Sequence, residues 1–219
     1  MKTQVKMSLA LVGVFVIAVA VLLVTAGRDE ASPGSDAPGG RTDSRLVRAD
    51  SRILGDKGST DVTFVEFLDF ECEACRAAYP IVEQLRETYS DRVTFVARYF
   101  PLPGHFNSGR AARAVESAAR QGKFLEMYSK MYETQAEWGE KQEPLDDLFR
   151  SFAVELGLDM TTYDTDYSSA EVASRVQRDV DDGTALGLQG TPTFYLDGEL
   201  LRPSSVADFE KAIEDALAK

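Results

Sequence analysis

The chain has 219 residues and a mass of 24.1 kDa, enough for one or two domains, and 44% of it is hydrophobic, which suits a packed core. Its formal net charge is −12 with a pI near 4.6, and no basic stripe interrupts the acid, which excludes a nucleic-acid partner gripped through phosphates. Lys2, Lys6, Arg28 and Arg41 balance Asp29, Glu30, Asp36 and Asp43, so the acidic excess lies from residue 44 onward.

From Met7 to Gly27 the chain is uncharged and almost wholly apolar or small. Such a run spans a hydrocarbon core of roughly 30 Å as a helix. Two lysines precede it, and an Arg-Asp-Glu triplet follows, which orients the remainder outside the cytoplasm. Residues 1–27 are therefore expected to form a transmembrane signal-anchor; the alternative is a signal peptide cut after Val24-Thr25-Ala26. Residues 28–44, rich in Pro, Gly, Ser and Asp, read as a flexible linker that buries too little to order itself. Residues 45–219 then form one folded domain.

Within that domain, DVTFVEFLDF (Asp61 to Phe70) has the alternation and aromatic content of a buried strand. Ala78, Ile81, Val82 and Leu85 follow at helical spacing, and DRVTFVARYF (Asp91 to Phe100) reads as a second strand. Strand, helix and strand in this order predict a parallel βαβ unit. About eighty residues of helical character follow, with apolar stripes over 111–119, 124–132 and 145–156, and from about Ser169 to Leu186. TPTFYLDGELL (Thr191 to Leu201) reads as two short strands around Asp197-Gly198, and Ser205 to Leu217 as an amphipathic helix. The sum is an α/β domain with a helical insertion between its second and third core strands.

The only cysteines, Cys72 and Cys75, sit where the first strand gives way to its helix. A structural zinc site needs four ligands, and a single histidine, His105, leaves the set short, so no metal is expected. A staple across so short a loop removes little entropy from the unfolded chain. A redox pair remains. Cys72 lies where unpaired N–H groups and the helix dipole favour a thiolate, and Cys75, one turn on, is placed to resolve a mixed disulfide. The neighbouring acids Asp69, Glu71 and Glu73 are expected to oppose that thiolate and make the pair a mild oxidant. The lone His105 reads as a structural loop residue, and the Met127, Tyr128, Met131 and Tyr132 stripe as core.

The segment resembles the thioredoxin superfamily, and most closely its DsbA-like, membrane-anchored branch. The resemblance rests on CEAC directly after VTFVEFLDF, Pro80 five residues beyond Cys75, Glu66 six residues before Cys72, and GTPTF at Gly190 to Phe194. About 115 residues separate Cys75 from Thr191, as a DsbA-like helical insertion requires. The resemblance implies a thioredoxin-like fold over roughly 45–219, with Thr191 and Pro192 as the substrate-facing loop across a cis bond. It also implies Glu66 as a buried acid that tunes Cys75, for which Arg98 is a candidate partner.

The expected activity is extracytoplasmic thiol–disulfide exchange without a cofactor, passing the Cys72–Cys75 disulfide to reduced exported proteins. A membrane quinone-linked thiol oxidase is the redox partner the resemblance implies. The alternatives are a membrane-tethered reductase or isomerase, and a binding or chaperone module that keeps the fold without the chemistry.

Overall fold

The computed structural model describes residues 43–219; the expected anchor and most of the linker lie outside the described residues. Among the described residues no helix is long and apolar enough to cross a membrane. A five-stranded sheet runs in the order β1-β3-β2-β4-β5. Its strands are β1 (Arg52–Ile53), β2 (Thr63–Leu68), β3 (Thr94–Tyr99), β4 (Thr193–Leu196) and β5 (Glu199–Leu201). The central β2 pairs parallel with β3, as the βαβ pattern predicts, and antiparallel with β4.

The near-continuous apolar character of β2 has a physical cause: both of its faces are covered. On one face Phe64 meets Phe95, Phe194 and Phe209, with ring centroids 5.2–5.8 Å apart. On the other, Val65 and Phe67 pack with Leu46, Val96, Phe100 and Tyr195. Because side chains alternate along a strand, Glu66 shares the Phe64 face and is buried there.

The helix after β2, α1 (Glu73–Tyr89), returns the chain to β3 and buries Cys75, Val82, Leu85 and Tyr89. Pro80 lies inside it. The expected insertion separates β3 from β4 and holds α2 (Ser108–Arg120), α3 (Phe124–Trp138), α4 (Asp146–Glu155), α5 (Met160–Ser168) and α6 (Ala170–Ala185). The chain closes with α7 (Val206–Leu217), whose Phe209 and Ile213 are buried. The Met127, Tyr128, Met131 and Tyr132 stripe is core, as expected: all four are at most 2% exposed.

Two elements escaped the sequence reading. β1 is two residues long and exists through its pairing with β3, so it has no periodicity to detect. The polar run of α5 carries little amphipathic signal; it is started by Asp159, whose side chain accepts the Thr162 N–H at 2.7 Å, and anchored by buried Tyr163.

Arg98 does not partner Glu66. The β2–β3 register sets Glu66 against Ala97 and Phe67 against Arg98, so the two charged side chains leave opposite faces of the sheet. Arg98 is fully buried against α6, with Nε donating to Asp179 at 2.8 Å and Nη2 to Asp182 at 2.6 Å. Its Nη1 donates to the Arg45 and Leu46 carbonyls, each at 2.7 Å. Every face of the guanidinium is thus engaged, which is the condition under which a buried cation is tolerated.

Candidate functional site

Cys72 is the N-cap residue of α1, in extended conformation, and its own N–H donates to Asp69 O at 3.2 Å. Across the site its Sγ lies 3.4 Å from the Thr191 carbonyl oxygen. The Thr191–Pro192 peptide bond is cis, as the resemblance implied. Both cysteines are free thiols; Cys72 is 7% exposed and Cys75 fully buried.

The two thiols are electrostatically unlike. The Cys75 thiol, donating to Cys72, outweighs the cost of burial and brings Cys72 down from 9.0 to about 5, with help from Thr191 and the Cys75 and Ala74 N–H groups. Burial pushes Cys75 well up, and the charges of Glu66 and Cys72 act in the same direction. The backbone N–H of Asp69, 3.5 Å from Cys75 Sγ, opposes that only in part. Cys72 is therefore the thiolate and Cys75 the thiol that holds a proton for it.

The nearby acids do not keep Cys72 at its ordinary value. Asp69 and Glu71 are each 1% exposed, and their carboxylates are engaged by N–H groups. Asp69 accepts from Glu71 N at 2.8 Å, Leu102 N at 2.9 Å and His105 Nδ1 at 2.6 Å. Glu71 accepts from Asn107 N at 2.6 Å and Glu140 N at 3.1 Å. These contacts tie the loop before the cysteines to the segments after β3 and α3, and satisfy the acids locally. His105, expected as a structural loop residue, is thus joined to the site through Asp69.

Glu66 is 1% exposed, and its Oε2 has no hydrogen-bond partner. Burial, with smaller contributions from the charges of Glu83 and Cys72, raises it from 4.5 to about 8. A carboxyl so placed stays protonated at neutral pH, and it raises Cys75 further once it ionises.

Gln135 of α3 was missed. Its Nε2 donates to Phe70 O at 2.7 Å and Cys72 O at 2.9 Å, pinning the start of the CxxC turn to the helical insertion. A glutamine in register with the buried Met127 and Met131 stripe was the available signal. Beside Pro192 an open groove of about 590 Å³ is lined by Leu186, Leu188, Tyr195, Leu200 and Arg202. It offers apolar wall and strand edge beside the Thr191–Pro192 loop. Among the described residues no group of histidine, cysteine and acidic side chains is arranged to hold a metal.

A family model described as thioredoxin matches residues 48–215. Among solved structures, a thioredoxin-like oxidoreductase from Silicibacter pomeroyi DSS-3 superposes with a TM-score of 0.68 at 26% identity, covering 82% of this chain and 99% of its own. Oxidised BdbD from Bacillus subtilis superposes with a TM-score of 0.69 at 22% identity, covering 84% and 100%. Among curated proteins, the Na(+)/H(+) antiporter NhaA 1 of Mycobacterium sp. strain KMS is 35% identical over 168 residues, 74% of this chain and 26% of the antiporter. The chain spans about a quarter of the length of that relative.

Proposed function

The chain belongs to the thioredoxin family, and from that premise we propose that it is an extracytoplasmic thiol–disulfide oxidoreductase that donates the Cys72–Cys75 disulfide to exported proteins. The observation that carries this reading is the asymmetry of the pair. A thiol brought down to about 5 faces Thr191 and Pro192, while its partner is held protonated beneath it.

In the oxidised enzyme a substrate thiolate attacks Cys72 Sγ. The Cys72–Cys75 bond breaks, and the electron pair leaves on Cys75, which takes up a proton. A second substrate thiolate then attacks the mixed disulfide, forms the substrate S–S bond and expels Cys72 as a thiolate. A leaving sulfur of low pKa departs readily, so the Cys72 environment favours this direction. Glu66, buried beside Cys75, is the carboxyl placed to exchange a proton with it. Thr191, Pro192 and the adjoining groove present the surface on which an extended substrate segment lies.

Residues 1–27 serve in this reading as the membrane anchor, and a quinone-linked thiol oxidase of the membrane re-oxidises the pair. The same dithiol run in reverse is a reductase or isomerase, so the test is the reduction potential of the pair together with an oxidation assay. The wild type is expected to oxidise a reduced, unfolded protein stoichiometrically and C72S to do nothing. A strongly reducing potential, near that of thioredoxin at about −270 mV, would overturn the oxidase direction.

A further inference from the structure

His105 is the only histidine of the chain, and the exchange steps above do not use it. Its ring is bound through Nδ1 to Asp69 Oδ2 at 2.6 Å, with 26% of the side chain exposed. Asp69 in turn touches both cysteines through its backbone: its N–H donates to Cys75 Sγ, and its carbonyl accepts the Cys72 N–H. One residue thus links the imidazole to the two reacting sulfurs.

We propose that His105, held on Asp69, is a positioning residue with a redox-linked proton, bound more tightly when Cys72 is a thiolate than when Cys72 and Cys75 are joined. This rests on the reading of Cys72 as the exchanging sulfur. The groups facing the ring are all acidic. Asp69 and Glu71 come from the loop after β2, Cys72 from the start of α1, and Glu140, itself raised by the adjacent Glu73 carboxylate, from the loop after α3. Arg110, the nearest cation on the ring's own segment, is engaged by Asp146 at 3.0 Å. Burial lowers the imidazole, but the Asp69 hydrogen bond and the charges of Asp69, Glu71 and Cys72 together raise it above its ordinary value. Forming the disulfide deletes the Cys72 charge and leaves the others. By linkage, whatever the thiolate adds to proton binding at His105, the imidazolium adds to thiolate formation at Cys72.

The proton balance follows from the reaction. When a substrate dithiol reduces the disulfide, two electrons pass to the enzyme sulfurs and the substrate S–S bond forms. Of the two substrate protons one stays on Cys75, while the other is set free because Cys72 remains a thiolate. Near its own midpoint His105 takes up a fraction of that second proton.

A single histidine makes the test direct, because the full chain in detergent shows one pair of imidazole C–H resonances. Titrated between about pH 5 and 8, the reduced protein is expected to show a midpoint above the ordinary 6.5, and the oxidised protein a lower one. Reduced C72S should follow the oxidised curve. In His105→Asn, which keeps a donor for Asp69 but no charge, the midpoint of Cys72 alkylation by iodoacetamide should rise by the same amount as separates the two histidine midpoints. Equal histidine midpoints in the two redox forms, or an H105N alkylation profile superimposed on the parent's, would overturn the proposal. These titrations need no substrate, so failure to oxidise a reduced protein would sink the exchange reading and leave this one standing.

Discussion

Cys72 Sγ and the carbonyl oxygen of Thr191 lie 3.4 Å apart although they stand 119 positions apart in the chain. The contact brings the helix start and the loop before β4 onto one sulfur, whose pKa is lowered to about 5. Iodoacetamide is therefore expected to label Cys72 at a rate that climbs through about pH 5 and levels off above it, leaving Cys75 unlabelled in the folded protein. C75S should accumulate mixed disulfides with substrate through Cys72. Mass spectrometry reads both, and early labelling of Cys75 would contradict the assignment.

The same depression links stability to redox state. A thiol lowered from 9.0 to about 5 contributes stability that is full above pH 9 and lost as the pH falls through about 5. The disulfide form has no such group. Melting temperatures of the reduced protein, taken relative to the oxidised one, should rise between pH 5 and 9; a difference that is flat over that window would refute the account.

Glu66 acts with the opposite sign. Its carboxyl is raised from 4.5 to about 8, so the folded protein is favoured most below pH 4.5 and loses that advantage as the pH climbs towards 8. At pH 7 the buried acid costs on the order of 3 kcal/mol relative to an unshifted one. Glu66→Gln is expected to stabilise the protein at pH 7–8 by about 1–2 kcal/mol once the cost of a buried amide is deducted. The gain should vanish below pH 4.5, and urea denaturation at the two pH values measures it. Cys75 should titrate lower in this variant, because the Glu66 charge raises it.

On the other face of the sheet, Arg98→Met removes the cation between Asp179 and Asp182. Arg175 remains 2.7 Å from Asp179 and Arg48 2.5 Å from Asp182, which limits but does not cancel the loss. A destabilisation of about 3 kcal/mol by urea titration is expected, with the Cys72 alkylation profile unchanged because the sheet separates the two sites.

Gly183 in α6 faces Phe100, and a Cβ there would stand 2.7 Å from the phenyl ring and 3.2 Å from Leu188. Gly183→Ala should therefore destabilise by about 1–3 kcal/mol through overpacking, despite alanine's advantage of ~1 kcal/mol in a helix. A rise in melting temperature would show that Phe100 yields freely.

The principal strands and helices were readable from periodicity, as was the parallel βαβ unit. The cysteine pair, Glu66 and the Thr191-Pro192 loop were readable from spacing and resemblance. β1 was not, because two residues acquire strand geometry only from β3 beside them. Nor was the partner of Arg98, since face and register must be known before charges can be matched. The partners of Asp69 and Glu71 were not readable either, since the fold brings the N–H groups of Leu102, Asn107 and Glu140 onto them, along with the imidazole of His105. Apolar spacing and turn residues act over a few neighbours and are written along the chain, whereas burial, register and the meeting of distant loops set the dielectric and the hydrogen bonds. Those decided which sulfur is the thiolate, why Glu66 stays protonated, and that His105 is joined to the site.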